Sequence, residues 1–273
     1  QCTSVGAQAG NNQTNQGDYN TFLGYRAGYD INGADYCTYL GIYAGRTVNG
    51  TGQYNTCVGY TSFYNATSGI RNAGLGHNAL YRNTSGSDNT ALGSNAGYEI
   101  TTGSGNTAIG FNALNPSGAF NFVGSNCSVL GKNSVPSSQT ATNEVTLGDS
   151  NITSLRCQVQ TISSLSDQRD KTAIEDLDLG LDFIKAMRPV KFAWNRRDGK
   201  WHGKKEVGFI AQELHEVEMD FNSTDRTRLV SYEDPSKLEA RPMNTYPILV
   251  KAIQELSAKV DSLQARITEL EGA

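Results

Sequence analysis

Asn106-Thr107-Ala108-Ile109-Gly110-Phe111-Asn112-Ala113 is one copy of a unit that recurs through the first half of the chain. Its apolar-Gly pair, Ile109-Gly110, follows Val5-Gly6, Leu23-Gly24, Leu40-Gly41, Val58-Gly59, Leu75-Gly76 and Leu92-Gly93, and the steps between the glycines are 18, 17, 18, 17, 17 and 17 residues. A fixed period of this length is the signature of stacked coils, so the region reads as a β-solenoid or β-helix shaft. Four residues before the glycine stands Asn20, Asn55, Asn72, Asn89 or Asn106. Three after it stands Ala9, Ala27, Ala44, Ala79, Ala96 or Ala113, with Ser62 in the fourth coil. One inward apolar residue per coil beside Gly and Ala gives a thin core, and Asn and Gly at the corners accept positive φ. Such coils need stacking, and three chains around one axis would bury them further. After Gly110 the steps read 14 and 7, at Gly124 and Gly131, which predicts a change of geometry in the last coils.

Working outward, composition divides the 273 residues. Residues 1–160 hold 13 of the 50 charged side chains, 24 of the 29 glycines and 11 of the 13 tyrosines. The remainder has the make-up of a small α+β domain with a helical tail, and the expected organisation is 1–160, 161–245 and 246–273. In the second part, Asp178 is expected to cap a helix over Leu179–Met187, stopped before Pro189, with Leu181, Ile184 and Met187 on one face. Val190–Trp194 reads as a strand, Asp198-Gly199 as a turn, Val207–Ala211 as the partner strand, and Gln212–Val217 as a helix.

The tail carries a heptad pattern, with Tyr246, Ile253, Val260 and Ile267 at a and Leu249, Leu256, Leu263 and Leu270 at d. This seam must bury against another helix, as in a coiled coil. Branched a and Leu d residues favour two strands in parallel dimers. A short seam tethered to a trimeric body takes its stoichiometry from that body, and the expectation is a homotrimer.

Ser166-Asp167-Gln168-Arg169-Asp170-Lys171 marks the composition boundary. Neither regular structure brings Ser166 to Lys171: on a strand five residues span roughly 16 Å and reverse the face, and on a helix they are neither i+3 nor i+4 neighbours. Contact between them needs a turn or another subunit.

Four blocks follow in order: Leu181-Asp182-Phe183-Ile184, Pro189 to Trp194, Val207 to Leu214 and Leu249 to Leu256. Together with the hexad they resemble the intramolecular chaperone of the endosialidase type, found at the C-terminus of phage tail spikes and fibres. The resemblance runs from about Ser163 to Ala273. It implies a trimerising chaperone and autoprotease core that releases itself by cutting between Leu165 and Ser166, with Ser166 as nucleophile and Lys171 as its base. It also implies that Asp167 and Arg169 orient the junction; read as bare residues, they are a surface ion pair, and both readings stand. The unit Asn106 to Ala113 is similar to head repeats of trimeric autotransporter adhesins, which are shorter. The resemblance places the protein in a virion, as a tail fibre or spike assembled in the host cytoplasm, with a host surface glycan or protein receptor as partner. A fibre that keeps the domain as a permanent, uncut cap is the alternative.

Other classes fit less well. A net charge of −4 without a basic stripe argues against nucleic-acid binding. Arg196, Arg197, Lys200, Lys204 and Lys205, with Trp201 and His202, read as a solvated hairpin tip rather than a nucleic-acid patch. No apolar run approaches membrane-spanning length. The five cysteines fit neither a zinc motif nor a disulfide framework and read as reduced thiols. His77, His202 and His215 are scattered, so neither a metal nor a cofactor is expected. The seven Asp and Glu residues of the repeat region form no recognisable pair for glycan hydrolysis, and its tyrosines read as outward stacking along the coils rather than a glycan surface. Gln212 and Glu213 read as a strand-to-helix junction.

Overall fold

The computed structural model describes residues 1–11, 17–49, 52–115, 121–158, 166–197, 201–232, 235–236 and 238–272. Leu165 and the Asp198-Gly199 turn lie outside the described residues. The chain divides into two compact units, Gln1–Ser154 and Leu155–Ala273.

The first unit is a β-solenoid. Three-residue strands, one per coil, pair in parallel into a nine-stranded sheet that starts at Thr3–Val5 and ends at Val145–Leu147. Register is unbroken: Val5 pairs with Leu23, Leu23 with Leu40, and so on to Leu130 with Leu147. A short second ladder pairs Asp30–Asn32 with Thr47–Asn49. Glycine completes each strand because the chain there turns at φ of +123 to +142° from Gly6 to Gly131, and a Cβ at Gly24 would stand 2.5 Å from the Gly41 carbonyl oxygen.

The core differs from the sequence expectation. The apolar residue of each apolar-Gly pair points outward, and the residue before it points in. Phe22, Tyr39, Cys57, Ala91, Ala108 and Val129 therefore fill the interior, joined by the Ala9-type row and by Phe63, Leu80, Ile100 and Leu114. Alternation along the strand allows only one of two adjacent residues inside, and the inner one is small enough in most coils to escape notice. Ser62, in the alanine row, is buried with its hydroxyl against the carbonyls of Gly74 (3.3 Å) and Ala79 (3.2 Å).

Asn78, Asn95, Asn112, Asn126, Asn133 and Asn143 do take positive φ at the coil corners, but the row four residues before the glycine acts differently. Positive φ falls on the residue before each asparagine of that row, at Tyr19, Tyr54, Arg71 and Asp88, whereas Asn20, Asn55, Asn72 and Asn89 are buried. Each Asn amide donates to a backbone carbonyl 14 or 18 residues on, as Asn72 Nδ2 does to Gly86 O (2.9 Å). Each carbonyl accepts the backbone N–H one coil on, as Asn72 Oδ1 does from Asn89 (3.0 Å). Cys37 and Cys127 occupy the same position and keep the donating half, with Sγ 3.4 Å from Gly52 O and 3.2 Å from Ala141 O.

The glycine steps of 14 and 7 mark one longer coil and leave the strand register unbroken. The strand Ser128–Leu130 pairs directly with Thr107–Ile109, so the true steps are Gly110 to Gly131 and Gly131 to Gly148. Gly124 belongs to a different row, where it closely abuts Gly103 from the next coil.

The second unit is α+β. Helix α1 covers Leu181–Ala186, and a hairpin pairs Val190–Ala193 with Lys205–Gly208. Helix α2 spans Ala211–Asp220, α3 is a single turn at Thr224–Thr227, Val230–Ser231 pairs with Glu239–Ala240, and α4 runs from Tyr246 to Glu271. The return strand thus lies two residues earlier than the pattern suggested, and the helix takes Ala211 and runs to Asp220. Gln212 and Glu213 lie within α2, where Glu213 pairs with Arg188. Leu179, Phe183, Met187, Leu214, Leu229 and Ile248 form the core, with Phe183 edge-on to Phe221 at 5.0 Å. Leu181 is only half-buried, so the apolar face of α1 is set by Leu179, Phe183 and Met187.

Asp178 does not cap α1; it pairs with Arg226 at 2.7 Å. The cap residue is Gly180, and the Leu181 N–H is taken by Glu255 of α4 at 2.8 Å. A side chain at 180 would run into that carboxylate. Along α4 only Ile248 and Ala252 are buried, while every a and d residue of the heptad is exposed or nearly so, from Leu249 at 37 % to Leu270 at 73 %. Among the described residues no helix is long and apolar enough to cross a membrane.

Candidate functional site

The turn that the Ser166–Lys171 contact requires is a single 3-10 turn over Gln168–Asp170. Asp167 sits before it with extended backbone, and its Oδ1 accepts the Arg169 N–H at 2.9 Å, capping the turn. The chain leaves at Lys171, again extended, whose N–H closes onto Gln168 O at 3.1 Å. One tight turn between two extended flanks folds the ends of the hexad back on each other. Lys171 Nζ reaches Ser166 Oγ at 2.6 Å within one chain.

Asp167 and Arg169 form a fork: Nη2 lies 2.6 Å from Oδ2 and Nε 3.0 Å from Oδ1. The Arg169 guanidinium holds the Asp167 carboxyl below the usual carboxylate range, and the carboxylate raises the guanidinium in turn. The pair is solvent-exposed, with Arg169 at 88 %, so its energetic worth is small. Its geometric effect is to fix the turn.

Ser166 and Lys171 are exposed as well. Lys171 Nζ donates to Ser166 Oγ, and both side chains stand in solvent. The contact brings a hydroxyl and an amine together within one chain. Burial of the lysine is what the single chain lacks.

Two features escaped sequence reasoning. Glu218 on α2 is buried and accepts from Thr227 Oγ1 at 2.6 Å and the Leu229 N–H at 2.5 Å, tying α2 to the turn after it. Glu255 caps α1 from 74 residues away in sequence. Neither carries a local signal, because both partners are distant backbone amides or hydroxyls. At the hairpin tip, the Lys204 ammonium lies 3.8 Å from the Trp201 ring centre, with Trp194 edge-on to the same indole.

Residues 166–223 match the family model described as chaperone of endosialidase, a peptidase family. The match opens at Ser166, the first residue of the capped turn, and supports an intramolecular chaperone role for this segment. It covers under a quarter of the chain, and none of it falls on the solenoid. Neither a curated protein nor a solved structure matches the chain.

Proposed function

We propose that this chain is the distal part of a homotrimeric viral tail fibre or spike whose C-terminal part assembles the shaft and then removes itself. The observation that carries the reading is the 2.6 Å contact between Lys171 Nζ and Ser166 Oγ, at the residue where the family match begins. In the reaction, neutral Lys171 takes the hydroxyl proton as Ser166 Oγ attacks the carbonyl carbon of Leu165. The Leu165–Ser166 C–N bond breaks as Lys171 passes that proton to the departing Ser166 nitrogen, which becomes a free amine, and the Leu165 acyl group is held as an ester on Oγ. Water then opens the ester to give a Leu165 carboxylate and the restored hydroxyl. Asp167 and Arg169 hold the turn that places the two groups.

The exposure of Lys171 in one chain supports a link between assembly and cutting: a subunit contact that buries the lysine lowers its pKa and makes it a base. The advantage is kinetic. Bringing three glycine-rich chains into register is a high contact-order process, slow and open to error. A C-terminal trimer holds the ends first, and cutting afterwards leaves a shaft behind a large unfolding barrier.

A denaturing gel with intact-mass measurement tests this. Wild-type protein is expected to yield a fragment spanning 166–273, and Ser166→Ala and Lys171→Ala to stay whole. Cutting that persists in Ser166→Ala rejects the mechanism. A wild-type chain that assembles and never cuts favours the permanent cap of a trimeric adhesin or receptor-binding fibre.

A further inference from the structure

The solenoid carries an uncovered face of unusual composition. Each of the nine strands offers two outward side chains, and over the whole sheet these are Thr, Ala, Ser or aliphatic residues without one charge. The third-position row is apolar throughout, and Leu23, Leu75, Leu92, Leu130 and Leu147 in it are 43–52 % exposed. The charged groups lie off this face, as in the Arg71–Asp88 and Arg82–Glu99 pairs.

We infer that this face is the surface by which copies of the chain pack around the shaft axis, so that the third-position row of one chain meets that of the next. The inference rests on the homotrimer of the proposed function and adds which side of the shaft faces inward. Three observations select a second copy as the occupant. The row repeats once per coil in unbroken register over nine coils, and a parallel copy has the same spacing and stays in phase along its whole length. Rotation about an axis sets like residues near like, which charged rows would resist and a charge-free face permits. The same chain also exposes a second apolar seam, on α4, that calls for identical helices.

Size explains why the face would not act alone. Eight spacings of about 4.8 Å give a length of about 38 Å, and three-residue strands a width of about 10 Å, hence about 400 Å² per chain. A contiguous patch of that extent marks an interaction surface, yet it is about half the ~800 Å² per partner of a stable interface. A face of this kind adds to a trimer nucleated elsewhere.

The test is proximity in the full chain. In a background of Cys2→Ser and Cys157→Ser, which removes the exposed thiols, Leu75→Cys and, as control, Ser85→Cys are treated with a short bismaleimide and run on denaturing gels. Light scattering is measured on the same samples. The expected result is a trimer in both, with chain-to-chain cross-links at Leu75→Cys at least tenfold above Ser85→Cys. A trimer in which Leu75→Cys cross-links no better than the control overturns the inference and leaves the trimer standing. A monomer overturns both.

Discussion

Lys171 reaches Ser166 across a single capped 3-10 turn, Nζ to Oγ 2.6 Å, inside one chain. Assembly is therefore not needed to bring the two groups together. What it could add, in the proposed reaction, is burial of a lysine that is exposed in the single chain.

The turn itself is open to test through Asp167. Its carboxylate accepts the Arg169 N–H at 2.9 Å and forks with the guanidinium. Loss of such a cap costs about 1 kcal/mol, roughly a fivefold drop in the population holding the dyad. Cleavage in Asp167→Ala is expected to slow three- to tenfold, with melting of the protein unchanged because the pair is exposed. Asp167→Asn keeps an acceptor and is expected to retain most of the rate. Equal slowing in both variants would show that charge, not capping, is the contribution.

The asparagine row makes a prediction with an internal control. Asn72→Ala strands the Gly86 carbonyl and the Asn89 N–H in the core, and each buried polar group without a partner costs about 1–3 kcal/mol. A loss of about 2–5 kcal/mol in shaft stability is expected by thermal or denaturant melting. Asn72→Cys is expected to cost less, because Cys37 and Cys127 already serve this position as donors to the facing carbonyl. If cysteine is as damaging as alanine, the thiol contacts contribute nothing.

The solenoid was legible because in-register stacking places equivalent residues in equivalent surroundings, so its period is written directly in the spacing of Gly59, Gly76 and Gly93. The direction of the side chains was not. In Thr-Phe-Leu and Thr-Ala-Leu alike the leucine is the constant apolar residue, and a thin coil core is lined by whatever small or aromatic residue precedes it. The longer coil between Gly110 and Gly131 hid the register from a count of glycines, since Gly124 belongs to another row. In the second unit the heptad on α4 was plain, and Glu255 capping α1 was invisible because the cap is supplied from 74 residues along. The hexad gave residue types without contact. The cap that brings them together follows from Asp167 and a turn too short to show periodicity.

Glu99 gives the shaft a pH dependence of definite sign. Burial raises its carboxyl above the usual range, and Arg82 at 3.0 Å offsets this only in part. A folded-state value above the unfolded one means that the folded shaft binds the proton more tightly. Stability therefore falls as pH rises from the unfolded value near 4.5 through the folded one, and this contribution is greatest below that window. Melting of wild type and Glu99→Gln between pH 3.5 and 7 is expected to converge at the acid end, with the glutamine variant the more stable above the window. A variant less stable at pH 7 would mean that the ion pair to Arg82 outweighs the cost of burial.

The exposed seam of α4 separates assembly from folding. Leu256 and Leu263 are 50 % and 62 % exposed in the single chain, so Leu256→Asp with Leu263→Asp leaves the core around Phe183 and Ile248 untouched. In the proposed trimer the same positions would be buried, and unpaired carboxylates there would cost several kcal/mol of association. The trimer fraction measured by light scattering is expected to fall while helical content of the isolated chain is retained. Cutting is expected to fall in parallel, because Lys171 stays exposed as in the single chain, and to recover when wild-type chains are co-expressed to rebuild mixed trimers. A variant shown to be monomeric that still cuts at the wild-type rate would mean that one chain completes the dyad without help. The link between assembly and release would then be lost, and the peptidase chemistry at Ser166 would stand without it.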